Sequence, residues 1–249
     1  MCRKLLFVVL AVGFCLISSA HAATIVWVSD NKTPAAGVAA DQAWVDLLVV
    51  QGYTVDLSFR NKEGRTLDAT KIAALNAADL IIVSRDSNSG DYDDGQEITQ
   101  WNSITAPILL QIAHIAGNNR WLWLDSGTNN AAQPTLLAVD TSHPVFNGVP
   151  LDANKQVNVL TTNTSFLSAT AAGNGTLIAT RADNGQVWIA EWQAGQAFYT
   201  GSTQTPAGPR MLFCSGGTSG VSDGTYNLTA DGEKMFLNAV RMLVSAGTP

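Results

Sequence analysis

The 249-residue chain carries 14 basic and 20 acidic side chains, a net charge of −6, with 46% hydrophobic and only 14% charged residues. An acidic chain without clustered Lys or Arg lacks the charge that displaces counterions from nucleic acid and the basic surface that adsorbs to anionic membranes. The apolar share suffices for a sizeable core and excludes general disorder.

Arg3 and Lys4 precede an almost wholly apolar run over residues 5–16, and the small-residue stretch SSAHA follows at 18–22. This three-part pattern predicts a secretory signal peptide over residues 1–23, cleaved after Ala22 or Ala23. The run is short for a membrane span, and bulky Phe14 before Cys15 argues against lipidation. The expected product is secreted or periplasmic, with no membrane contact after cleavage. Loss of Arg3 and Lys4 leaves 12 basic residues against 20 acids, a net charge near −8. The remainder, residues 24–249, reads as one α/β domain. Cys2, Cys15 and His21 leave with the signal, so Cys214 has no intrachain disulfide partner. One Cys with His114 and His143 cannot build a structural zinc site, and no cofactor is expected.

The first half alternates strand and helix signals. TIVWV (24–28) reads as a buried strand, and DQAWVDLLVVQG (41–52) as a helix with Trp44, Leu47 and Leu48 inward and Gly52 closing it. YTVDLSF is a second strand, LDATKIAALNAA a helix burying Leu67, Ile72 and Leu75, and DLIIVS a third strand. GQEITQWNSI pairs Ile98 with Trp101 on a helix, APILLQIA is the fourth strand, and RWLWLDSG reads as a fifth. Apolar strands alternating with amphipathic helices predict a flavodoxin-like, doubly wound, mainly parallel sheet covered on both faces. The second half is β-rich, with Asn184-Gly185 as a hairpin signal. The chain closes on a helix within TADGEKMFLNAVRMLVSAG, N-capped by Thr229 or Asp231, burying Met235, Phe236, Ala239, Val240 and Leu243. The Asn- and Thr-rich stretch 127–175 is expected to be the least ordered.

In such a sheet the ligand crevice lies beyond the carboxyl ends of the strands, where strand order reverses. That places Asp30 and Asn31 after the first strand at the crevice. Arg85, Asp86, Ser87, Ser89 and Tyr92 of the polar stretch SRDSNSGDYDD join them after the third. The same stretch also reads as a solvated loop with Arg85 paired to Asp86 or Asp91. It fails the spacing of a calcium loop. His114 ends the fourth strand as a candidate acid/base, Asp125 ends the fifth, and Cys214 follows an apolar run as a candidate nucleophile or a buried inert thiol. Among seven tryptophans, Trp121, Trp123 and Trp192 read as sugar-stacking rings or as core. No G-x-S-x-G elbow, Walker A loop or G-x-G-x-x-G run is present, which disfavours serine-hydrolase chemistry and nucleotide binding.

The segments AADLIIVSR, TAPILLQIAHIAG, SHPVFNGVP and GEKMFLNAVRMLV resemble the class I glutamine amidotransferase-like superfamily, specifically its ThuA-like branch. The resemblance implies one ThuA-like α/β domain over most of the exported chain. Amidotransferases place a nucleophilic Cys in a tight turn after the strand matching APILLQIA, whereas Ile112 and Ala113 stand there in this chain. The resemblance therefore implies an exported domain without glutaminase chemistry, binding a small polar molecule or carbohydrate. The alternative is a hydrolase of a sugar derivative, ester or amide. It would use His114 with Asp30, Asp86 or Asp125, or Cys214 as nucleophile, and residues such as Asp30, Asn31, Arg85 and Trp121 would hold the ligand.

Overall fold

A computed structural model describes residues 22–30, 39–218 and 224–247. The signal-peptide expectation rests on residues 1–21, and the Asn31 expectation on residue 31; both lie outside the described residues. Among those described, no helix is long and apolar enough to cross a membrane.

The elements are β1 (Thr24–Val28), α1 (Gln42–Val50), β2 (Thr54–Asp56), α2 (Ala69–Asn76), β3 (Leu80–Val83), α3 (Glu97–Ser103), β4 (Ile108–Leu110), β5 (Asn129–Ala132), β6 (Leu136–Ala138), β7 (Gln156–Val157), β8 (Thr164–Leu167), β9 (Thr176–Arg181), β10 (Val187–Trp192), β11 (Arg210–Phe213) and α4 (Ala230–Gly247). Nine strands form one sheet in the order β2-β1-β3-β4-β11-β10-β9-β6-β7. The pairings from β2 to β11 are parallel, and those from β11 to β7 antiparallel. The sheet is thus a parallel flavodoxin-like half continued by an alternating half, which is where the β-rich second part of the sequence goes. β5 and β8 form a separate antiparallel pair.

The expected helices form because their apolar faces meet the sheet. Successive residues of β1 serve opposite faces. Trp27 donates its indole N–H to Asp41 at the start of α1 at 2.8 Å. Val28 packs instead toward Gly64, which itself faces Tyr92 and Trp101. α1 and α4 share the first face, where Trp44 meets Phe236 edge-on with centroids 5.1 Å apart and Phe236 meets Phe213 of β11. Burial without a charged edge explains why β1, β3 and β4 are apolar on both faces. Gly52 has φ +91°, the left-handed position that closes α1. Thr229 caps α4 through its hydroxyl oxygen, which accepts from Gly232 N at 3.1 Å, and Met235, Phe236, Ala239, Val240 and Leu243 are buried as expected. Gly185 at φ +74° turns the β9–β10 hairpin. The 127–175 stretch, expected to be poorly ordered, contains β5 to β8.

The fifth parallel strand is not RWLWLDSG. Leu122 has φ +60°, which breaks an extended run. The amides of Trp121 and Trp123 fold back onto the carbonyls of Ile115 and Ala116 at 2.9 and 3.0 Å. Its tryptophans are core: the indoles of Trp121 and Trp123 donate to Tyr92 O and Asn102 Oδ1 at 2.8 and 2.9 Å. The place beside β4 is taken by β11, with Arg210 opposite Ile108.

Arg210 explains how β11 is held there. Its fully buried guanidinium donates to the carbonyls of Asn102, Ile104 and Ala106 at 3.2, 2.5 and 3.1 Å, with a longer bond to Trp101 O. These carbonyls belong to the end of α3 and the turn into β4, where helical donors run out; Trp101 O and Asn102 O also accept from the amides of Ile104 and Ala207 at 3.4 and 2.9 Å, and Ile104 O and Ala106 O are bonded by Arg210. Burial lowers the guanidinium to about 9, so it remains charged at neutral pH. Arg210→Met should lower the unfolding free energy by ~3 kcal/mol or more, since each orphaned buried carbonyl costs ~1–3 kcal/mol. Denaturant unfolding checks this, and a loss below ~1 kcal/mol would mean that the helix end is satisfied without Arg210.

Candidate functional site

The carboxyl ends of the parallel strands are laced together by backbone. Asp30 N donates to Asp86 O at 2.7 Å, Gln111 N to Val83 O at 3.0 Å, Ser215 N to Gln111 O at 3.0 Å and Gly217 N to Arg85 O at 3.1 Å. Gly216 permits the closest approach, because a Cβ there would lie 2.7 Å from Ile112 Cα. The segments after β1, β3, β4 and β11 thereby form one surface at the end of the sheet where the fold places its ligand crevice.

The charges of the 85–94 stretch are mostly consumed within the protein. The buried Asp30 carboxylate accepts from Arg65 Nε at 2.9 Å and Nη2 at 2.5 Å, Asn88 N at 2.8 Å and Tyr92 Oη at 3.0 Å. Burial, then the Asp30 charge, raises the Tyr92 phenol well above its ordinary value. Its hydrogen bond to Asp30 raises Arg65 as well. Arg65 also pairs with Asp91 at 2.8 Å, and Arg120 with Asp93 at 3.0 Å. Cations from elsewhere therefore fold this acidic stretch onto the protein; it is neither a loose solvated tip nor a bare wall.

Arg85 sits at the strand end as expected, but it is buried. Its amide donates to Gln111 Oε1 at 3.0 Å, Nε to Ser215 O at 2.9 Å, and Nη1 to Thr225 O. Its guanidinium thus ties the ends of β3 and β11 to residue 225. Asp86 and Ser87 are buried beside it, and Ser89 is half-buried in the 3₁₀ turn Ser89–Asp91. Trp121 is fully buried, stacked on Trp101 with centroids 4.8 Å apart, so it offers no face to a ligand; Trp123 and Trp192 are buried too.

The three catalytic candidates do not assemble. His114 lies half-buried in the 3₁₀ turn Ala113–Ala116 after β4. Burial first, and the Arg120 charge second, lower its pKa below the ordinary 6.5. Its Nε2 has no hydrogen-bond partner, and no carboxylate among the described residues pairs with its ring. Asp125 is exposed in a separate cleft. Cys214 is fully buried with Sγ 3.8 Å from Val187 O, and burial raises its thiol far above the ordinary range. A buried thiol without a base or an anion-stabilising neighbour is not a nucleophile. Ile112, where the amidotransferase nucleophile would stand, has φ −101° and ψ 114°, ordinary extended backbone without an elbow. Among the described residues no three His, Cys, Asp or Glu side chains gather to hold a metal ion.

A different set marks the strand ends. Gln111 Nε2, His114 Nε2, Ser165 Oγ and Asn227 Oδ1 are buried and have no hydrogen-bond partner. Gln111 and His114 follow β4, and the His114 turn packs against β8, which carries Ser165, and against β11. Asn227 Nδ2 donates to Ser215 O at 3.3 Å, and Thr164 Oγ1 to Gly216 O at 2.5 Å, so both segments border the end of β11. Buried polar groups are normally paired, and four neutral ones bordering these strand ends need an explanation. Of the other unpartnered atoms, the indole nitrogens of Trp44, Trp101 and Trp188 belong to core tryptophans, and Ser87 Oγ lies in the stretch after β3. One sign of this set is legible along the chain, a glutamine directly following the fully buried strand β4. Nothing local marks Ser165 or Asn227.

No family profile and no curated protein matches the sequence. Among solved structures, a cytoplasmic protein from Salmonella typhimurium superposes with a TM-score of 0.56 at 12% identity, covering 88% of this chain and 98% of its own. A putative ThuA-like protein from Bacteroides uniformis gives a TM-score of 0.46 at 12% identity, covering 89% and 91%. The first likeness establishes a shared mixed α/β fold, with its large sheet and closing C-terminal helix, and nothing of activity.

Cys214 should resist a thiol reagent such as 5,5′-dithiobis(2-nitrobenzoate) in the native protein and react once in denaturant. Prompt labelling under native conditions would show an accessible, ionisable thiol and restore the nucleophile reading.

Proposed function

We propose that this chain is an exported, non-catalytic ThuA-like binding domain. It takes a small polar molecule or carbohydrate at the carboxyl ends of β3, β4 and β11. The N-terminal sequence pattern supports export, and the motifs around the third and fourth strands and the closing helix support the ThuA-like reading. The observation that carries binding is the set of buried, unpartnered polar atoms on Gln111, His114, Ser165 and Asn227. Leaving each unpaired costs ~1–3 kcal/mol, and a bound ligand would recover that energy. The set offers an amide donor, a carbonyl acceptor, a hydroxyl and an imidazole nitrogen, which suits a neutral ligand that both donates and accepts.

A thermal-shift screen of the mature protein against monosaccharides, disaccharides, polyols and sugar amides tests this. At least one compound should raise Tm saturably. Ser165→Ala and His114→Phe should weaken that compound by about tenfold, the scale of one lost buried hydrogen bond. The same variants should fold at least as stably as the parent, because each removes an unpaired buried group. Glutamine should yield no ammonia. Turnover of a sugar ester or amide that disappears in His114→Ala would contradict the non-catalytic reading.

A further inference from the structure

β10 runs antiparallel to β11, so the end of β10 and the start of β9 lie at the edge of the sheet opposite the strand-end site. There a cleft of about 470 Å³ is lined by Asp125, Ser168, Thr170, Asn174, Tyr199 and Thr200. Its size falls within the range of small-molecule sites.

The walls are fixed by the fold. Asn174 N and Nδ2 donate to Phe198 O and Ala197 O, each at 2.8 Å. Gly173 has φ +63°, and a Cβ there would stand 2.5 Å from Tyr199 Cβ, so only glycine lets this turn close against Tyr199. Beneath them Phe198 stacks on Trp123 with centroids 5.6 Å apart, and Trp192 donates its indole N–H to Ala172 O at 2.9 Å. Tyr199 is therefore held on a buried aromatic base while its own ring is only half-buried. Asp125 Oδ1 accepts from Asn118 Nδ2 at 3.2 Å, and no described residue bonds Oδ2.

The lining chemistry selects the ligand. No Lys or Arg lines the cleft, and Asp125 repels anions, so a phosphate or carboxylate does not fit. One carboxylate without a second acidic ligand is a poor metal site. Three hydroxyl side chains, an amide, a carboxylate oxygen and a tyrosine suit a molecule rich in hydroxyls with an apolar ring face. We infer that this cleft binds a neutral saccharide, its ring against Tyr199 and its hydroxyls on Asp125, Thr170 and Asn174. Its location and its residues are separate from those of the strand-end site.

Titration of the mature protein with glucose, galactose, N-acetylglucosamine, maltose and cellobiose, followed by calorimetry or amide chemical shifts, tests the inference. At least one sugar should bind saturably in the millimolar range. Tyr199→Ala and Asp125→Asn should each weaken it at least tenfold, and Ser165→Ala should leave it unchanged. Thr170→Val, an exposed substitution, should weaken it without altering Tm and so guards against a folding artefact in Tyr199→Ala. Absence of binding by every sugar overturns the inference. So does binding that survives Tyr199→Ala, Asp125→Asn and Thr170→Val. Binding lost only in Ser165→Ala assigns the sugar to the strand ends, supporting that site and overturning this one.

Discussion

The buried Arg210 guanidinium joins the first residue of β11 to the carbonyls at the end of α3 and before β4. Together with the amides of Ile104 and Ala207 it closes the end of α3 and the turn into β4, and it does so from the first residue of β11. A charge this deep persists because backbone carbonyls surround it, a geometry that the planar fork of arginine matches. It draws β11 into the fifth parallel place, although almost a hundred residues separate β4 from β11. The strand end that arrives there brings Ser215 and Gly216 against the end of β4 and Gly217 against Arg85 after β3. Arg85 and Asn227 then find their carbonyl partner at Ser215. Without β11 in this position the strand-end surface would lack one side.

A second consequence concerns charge. Ionised groups at these strand ends already have partners: Asp30 with Arg65, Asp91 with Arg65, and Arg85 with backbone carbonyls. Such pairing fixes loop geometry, because truncating one member would strand its partner in a poorly hydrated place. The unpaired atoms of Gln111, His114, Ser165 and Asn227 belong to neutral groups. The site therefore lacks the opposed, pKa-tuned pair that general acid–base catalysis uses. It keeps neutral hydrogen-bonding groups of the kind that a polar ligand would satisfy. Stability given up at four neutral atoms is the kind of local cost that functional sites carry.

Much of the fold was legible because burial on both faces leaves a plain signature. Runs such as LIIV and ILL, separated by helices with spaced apolar residues, point to parallel strands, and Gly52, Gly185 and Thr229 mark turns and caps by their own chemistry. RWLWLD misled because an apolar run looks the same whether it is a strand or an irregular core segment. Only the left-handed Leu122 and the distant partners of the two indoles separate these cases. The surface formed by the strand ends could be anticipated from topology, but the roles of its residues could not. Arg65, Ser215 and Thr225, which occupy Asp30 and Arg85, lie 35, 130 and 140 positions away along the chain. Ser165 and Asn227 carry no local pattern at all and become visible only once their neighbours are in place.

His114 reports directly on whether a catalytic pair forms at the strand ends. Neighbouring carboxylates raise a histidine pKa, whereas burial without one lowers it. Following the His114 ring protons by NMR across pH, with His143→Asn used to assign the ring signals, gives the titration midpoint. The midpoint should lie below the ordinary 6.5, in the direction that burial and Arg120 impose. A midpoint clearly above 6.5 would reveal a carboxylate partner and contradict the non-catalytic reading.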